Sequence, residues 1–142
     1  MLKRMLEENI QVIKEIESWE EAISCASKPL LEKKLIETKY VEAMIQNIRE
    51  LGPYVVLMPG VAMPHSRPEH GVNETSMSLL KIDDGVSFSE RKEDVKLVFI
   101  LAAKDSTSHM DAIVGLTDLL ECEDRVRMLT EAKNSDEIYS II

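Results

Sequence analysis

Little in this chain points to a nucleic acid, a membrane or an oxidising compartment. Basic residues are few: 17 Lys and Arg stand against 26 Asp and Glu, for a formal net charge of −9. Nucleic-acid backbones and anionic lipids both call for a basic patch, so neither partner is expected. The only cysteines are Cys25 and Cys122, and neither belongs to a C-x-x-C pair. They are too few for a disulfide scaffold and are expected to be buried free thiols. No apolar run approaches the roughly 18 residues that span a bilayer. The opening MLKRMLEE lacks the apolar stretch and cleavage site of a secretory signal. These absences point to the cytoplasm. Aromatics make up only 4%, so Ile, Leu, Val, Ala and Met must form the core. With 44% hydrophobic and 30% charged residues the composition is that of a folded globular protein. Its 142 residues suit one complete domain, residues 1–142, with one core.

The pattern alternates between strand and helix. Asn9 to Ile13 alternates polar and apolar residues and reads as a short strand. Ser18, with Glu21 three residues on, forms a capping box ahead of a helical stretch from Trp19 to Lys34. Ala22, Ile23, Ala26, Leu30 and Leu31 supply its apolar face, and Pro29 predicts a kink or a split into two helices. Thr38 is expected to cap a second helix carrying Val41, Met44, Ile45 and Ile48, which Gly52-Pro53 ends. Tyr54 to Met58 reads as a buried strand, Pro59-Gly60 as a turn and Val61 to Met63 as a short extended piece. Met77–Ile82 and Val95–Ala102 are two further strands, with Asp83-Asp84-Gly85 expected to turn the chain between them. Helical patterns follow from His109 to Leu120, Glu123 to Glu131 and Asp136 to Ile142. This order predicts an α/β protein of α+β-like character, a mixed β-sheet with helices packed on it.

One loop stands apart. Pro59 to Gly71 holds three prolines besides two histidines and an arginine, directly after an apolar strand. Pro64 presets its own φ and biases Met63 toward extended geometry, so His65 is presented from a restrained backbone; Pro68 stiffens the other side. A neutral imidazole is nucleophilic near neutral pH. Attack on an anionic phosphorus needs a neighbouring cation, and the Arg67 guanidinium has the donor geometry for one. Further on, Ser108 and Asp111 fit a capping box that places His109 in the first turn of a helix. There the positive dipole end suits an anion and holds the imidazole neutral. Arg49, near the end of the Thr38 helix, is a second candidate cation or a solvated helix-end arginine. His70 is expected to be a surface residue. A metal on His65, His70 and His109 is not expected: the H-x₄-H spacing is loose and no H-E-x-x-H or cysteine pair supports it. No cofactor is called for.

These residues resemble the fructose/mannitol-type IIA domain of the bacterial phosphoenolpyruvate-dependent sugar phosphotransferase system (PTS), most of all its ascorbate-specific members. The resemblance is carried by Trp19 to Ile23, Tyr40 to Met44, Leu51 to Tyr54 and above all Pro59 to Glu69, PGVAMPHSRPE. Met77 to Leu80, Leu101 to Ala103 and Ser108-His109 continue it, in order, over nearly the whole chain. It implies a mixed sheet flanked by helices on both faces. It implies that His65 accepts a phosphoryl group from the carrier HPr and passes it to a cysteine of a IIB component. IIB in turn phosphorylates the sugar taken up through the membrane component IIC. His109 matches the family's second histidine, which helps hold the phosphoryl group, and Arg49 resembles an active-site arginine of mannitol-type members. Pro59-Gly60 stands where some members carry a glutamate. The alternative within the same fold is a regulatory, nitrogen-type protein phosphorylated on His65 without feeding a transporter. A relay partner must dock briefly, so an interface under about 1,200 Å² is expected, with Met58, Val61 and Met63 as a soft rim unless they pack into the core.

Overall fold

The computed structural model describes residues 2–89, 94–105, 107 and 110–142. In chain order its elements are α1 (Leu2–Leu6), β1 (Ile10–Ile13), α2 (Trp19–Glu32) and α3 (Thr38–Leu51). Next come β2 (Val56–Met58), β3 (Val61–Ala62), a 3₁₀ turn over Pro68–His70, β4 (Ser76–Ser87) and β5 (Asp94–Ala102). Three helices close the chain: α4 (Met110–Glu121), α5 (Glu123–Glu131) and α6 (Ser135–Ile141). The strands form one mixed sheet in the order β1-β4-β5-β3-β2. β1 runs parallel to β4 and β3 parallel to β5, while β4·β5 and β2·β3 are antiparallel.

The central strands are apolar on both faces because both faces are covered. Along β5, Val98, Ile100 and Ala102 face one core with α2 and α3; Leu97, Phe99 and Leu101 face another with α1, α4, α5 and α6. Helices therefore flank the sheet on both sides, as expected. Each fully buried Leu or Ile contributes about 1.5–3 kcal/mol relative to exposure. The short α1 was not legible as a helix; Leu2 and Leu6 tie it into the second core.

Several local expectations are corrected. Pro29 does not split its segment into two helices: it lies inside a single helix, Trp19–Glu32. The proline cannot donate to the carbonyl four residues back, that of Cys25, and Gln11 Nε2 donates to this oxygen instead at 2.8 Å. Ser18 does cap this helix, accepting from the Glu21 N–H at 3.2 Å. The N-cap of α3 is Glu37 rather than Thr38, which is the first helical residue. Of Tyr54–Met58 only Val56–Met58 forms a strand, the short edge strand β2; Tyr54 and Leu57 are about half exposed, and Val55 alone in the segment is fully buried.

Asp83-Asp84-Gly85 is not a turn. β4 runs through it with a bulge, the register slipping between Lys81 and Val86. Gly85 has φ +74° and its missing side chain makes room for Asp94. A bulge and a tight turn demand the same small polar residues and glycine, which is why the sequence pattern misleads here. Cys25 and Cys122 are free but only half-buried. Burial pushes the Cys25 thiol above its ordinary value. None of the described helices is long and apolar enough to cross a membrane.

Candidate functional site

The Pro-His loop is held at three successive points. Met63 N–H donates to the Val55 carbonyl at 2.8 Å. The Pro64 carbonyl accepts from Leu101 N–H at 3.2 Å. Ser66 N–H donates to the Tyr40 hydroxyl at 3.0 Å, and that hydroxyl donates to the Leu101 carbonyl at 2.7 Å. His65 thus sits between anchored neighbours at the end of β5. Gly71, with φ +129°, closes the loop against α3, where a side chain would meet the Tyr40 backbone. Tyr40 is fully buried, and its phenol is pushed up to about 12, chiefly by burial.

His65 Nδ1 lies 2.8 Å from the Met63 carbonyl oxygen. A carbonyl only accepts, so this contact places the ring proton on Nδ1 and leaves the lone pair on Nε2. The Tyr54 ring meets the imidazole edge-on, centroids 5.9 Å apart. His65 lines a cavity of about 540 Å³ together with Asn47, Leu51, Tyr54, Arg67 and His70.

α3 furnishes one wall through its helical period. Tyr40, Asn47 and Leu51 lie seven and four residues apart, on one stripe facing the loop. Arg49, two residues beyond Asn47, is turned by about 200° around the helix. It reaches Glu20 of α2 at 3.5 Å and is not among the residues lining the cavity. Arg67 does line it; its guanidinium is largely exposed, with Glu69 4.0 Å away. Ser108 and His109 lie outside the described residues. Val61 is buried in the core, and Met58 and Met63 pack against it.

His70 is not a free surface residue. Its Nδ1 lies 2.6 Å from Ser66 Oγ, which also accepts from Asn47 Nδ2 at 3.0 Å. No local pattern singles out Tyr40, Asn47 or Ser66 as a site residue, and His70 reads as a surface residue. The one signal available was that Tyr40 and Asn47 share a helical face with the apolar positions Val41, Met44 and Ile48. Among the described residues, no group of three or more His, Cys, Asp or Glu side chains is placed to hold a metal ion.

The model of the family "Phosphoenolpyruvate-dependent sugar phosphotransferase system, EIIA 2" matches residues 4–142. The chain belongs to this family. Among EIIA 2 relatives, the mannitol-specific cryptic phosphotransferase enzyme IIA component of Escherichia coli K12 is 40% identical over 136 residues, 96% of this chain and 92% of that one. A solution structure of the Escherichia coli mannitol-specific cryptic enzyme IIA shares the fold at TM-score 0.90 and 36% identity, over 99% of this chain and 96% of that one. The ascorbate-specific PTS system EIIA component of the same strain is 32% identical over 145 residues, 99% of this chain and 94% of that one. A similar EIIA fold occurs in the complex of enzyme IIA mannitol with phosphorylated enzyme IIB mannitol of Escherichia coli, at TM-score 0.80 and 28% identity, over 94% of this chain and 93% of that one. The family and the mixed-sheet fold implied by the sequence resemblance are thus found.

Proposed function

We propose that this EIIA 2 protein is the phosphocarrier between HPr and a IIB component, with His65 Nε2 as the phosphorylated atom. The observation that carries the reading is the 2.8 Å contact of His65 Nδ1 with the Met63 carbonyl. It fixes the nucleophilic nitrogen before the donor arrives. In the first transfer the Nε2 lone pair forms the new N–P bond. The P–N bond of phospho-HPr breaks, and its electron pair returns to the HPr imidazole. The phosphorylated His65 ring keeps its Nδ1 proton and becomes cationic, a charge the Met63 carbonyl dipole stabilises. A cationic ring is a good leaving group, so the second transfer, to the IIB cysteine thiolate, runs as readily as the first.

Arg67 supplies positive charge at the cavity to the equatorial phosphoryl oxygens. His109 is assigned a phosphoryl-holding role on the family resemblance. Arg49 joins only if it leaves Glu20. The phosphorylated IIB partner named for the mannitol relative supports IIB as the acceptor here. For the sugar, the overall resemblance to ascorbate-specific members favours ascorbate, supported by the 32% identity to the ascorbate-specific component, with IIC completing uptake. The 40% identity to a mannitol-specific cryptic relative favours mannitol as the second reading. The acceptor IIB carries that specificity, since IIA hands phosphate to a protein.

The test is intact-mass spectrometry after incubation with phosphoenolpyruvate, Enzyme I and HPr. Wild type should gain one acid-labile phosphoryl group and His65→Ala none; a stable phosphoryl group on His65→Ala refutes the assignment. Ascorbate-type and mannitol-type IIB proteins are then added. Discharge to one of them identifies the transporter branch, and retention against both supports the regulatory role.

A further inference from the structure

Ser66 follows the nucleophile and, among the described residues, its hydroxyl touches two side chains. Asn47 Nδ2 donates to Ser66 Oγ at 3.0 Å, and His70 Nδ1 lies 2.6 Å away on the other side. Ser66 Oγ takes the Asn47 N–H on a lone pair, which leaves its one hydroxyl proton available to His70 Nδ1. A ring accepting at Nδ1 carries its proton at Nε2. With the hydroxyl proton on that side, the tautomer of His70 is the reverse of that of His65, whose Nδ1 donates to the Met63 carbonyl. One imidazole presents a lone pair at Nε2 and the other an N–H. Both residues line the same cavity. The 3₁₀ turn over Pro68–His70, closed by His70 N–H to the Arg67 carbonyl at 2.9 Å, returns His70 toward Ser66.

We propose that His70 is a phosphoryl-contacting residue, its Nε2–H donating to an oxygen of the phosphoryl group carried on His65. This inference rests on the phosphocarrier reading above. The Asn47–Ser66 pair acts through it by holding the ring in the donor tautomer. The donor is preorganised before transfer, the condition under which such groups favour a transition state.

Two substitutions separate this role from simple support of Ser66. In His70→Asn the shorter amide sits near the Nδ1 position, so the Ser66 contact can persist while the distal donor is lost. In His70→Gln the amide N–H sits near the Nε2 position. The rate of phosphorylation by phospho-HPr is measured for both, with melting temperatures as a folding control. The ¹⁵N signals of the His70 ring are followed in wild type before and after phosphorylation. The expected result is a loss of roughly tenfold in rate for His70→Asn, the scale of one hydrogen bond to a charged group. His70→Gln should stay close to wild type, and the His70 Nε2 signal should move on phosphorylation. A wild-type rate for His70→Asn overturns the proposal. If both variants are slow, the ¹⁵N spectrum decides: an unmoved Nε2 signal overturns it and a shifted one sustains it. Wild type that labels normally while the variants behave so isolates this failure. Wild type that never labels takes down the phosphocarrier reading and this inference together.

Discussion

The Tyr40 hydroxyl accepts from Ser66 N–H at 3.0 Å and donates to the Leu101 carbonyl at 2.7 Å, so a core residue of α3 clamps the residue after His65 to the end of β5. Tyr40→Phe keeps the ring and removes the clamp, leaving the buried Leu101 carbonyl and the half-buried Ser66 N–H short of a partner. We expect a loss of about 1–3 kcal/mol in urea unfolding, the desolvation cost of such groups. Phosphoryl transfer to His65 should slow as well.

The same phenol gives a pH signature. Its folded value is about 12 against an unfolded value of 10.0, raised mainly by burial. The unfolded chain then loses the proton first as pH rises. The stability this proton carries is complete below pH 10 and falls away between 10 and 12. Wild type should therefore lose roughly 2–3 kcal/mol more than Tyr40→Phe across that window, at about 1.4 kcal/mol per unit. Equal alkaline slopes for the two proteins would contradict burial of the phenol.

Arg67 and Arg49 differ in where α3 and the loop put them. Arg67 lines the cavity and Arg49 faces Glu20. Arg67→Ala should slow phosphorylation from phospho-HPr by about tenfold, with Arg67→Lys restoring part of it, because charge returns without the planar fork. Arg49→Ala should change the rate less and affect stability little, since exposed ion pairs contribute about 0–1 kcal/mol. His109→Ala is expected to weaken onward transfer while acceptance is partly retained. Single-turnover rates with HPr and IIB as partners check all three.

The loop was legible in the sequence because its signals are local. Pro64, His65, Arg67 and Pro68 restrain one another within a few residues, and proline chemistry needs no tertiary context. The two-sided covering of β5 was legible in its unbroken apolar run, Leu97 to Ala102. Contacts between distant segments were not. Asn47 and Ser66 are nineteen residues apart, and nothing short of the α3–loop packing pairs them. His70 looked solvated for the same reason. Asp83 to Gly85 looked like a turn because glycine with acidic neighbours marks bulges and turns alike; the register of β5 against β4 decides between them.

Pro29 leaves the Cys25 carbonyl without its helical donor, and Gln11 fills the gap from β1 at 2.8 Å. Gln11→Ala should cost about 1 kcal/mol with Pro29 present. In a Pro29→Ala background the helix regains its own N–H donor, so the cost of Gln11→Ala should shrink. A double-mutant cycle in urea reads this as a non-zero interaction energy. Additive losses would mean that Gln11 stabilises β1 by some other contact.

Lys81 presents a sharper stability problem. It lies in the middle of β4, with its side chain only 5% exposed, and its partner is Asp83, two residues along the strand. Lys81 pairs in register with Val12 of β1 and Leu97 of β5, so its ammonium crosses an apolar neighbourhood before meeting the carboxylate. The bulge beyond Lys81 shifts the register of the segment that carries Asp83. Removing only the anion strands a buried cation. Asp83→Ala is therefore expected to destabilise by about 3 kcal/mol, the usual result of breaking a buried pair. Lys81→Met replaces the stem with an apolar chain of similar length and releases the carboxylate, 45% exposed, to water. That variant should be neutral or more stable than wild type. Urea unfolding of the two single variants and the double Lys81→Met/Asp83→Ala distinguishes the cases. If Lys81→Met costs as much as Asp83→Ala, the pair contributes net stability rather than neutralising a buried charge.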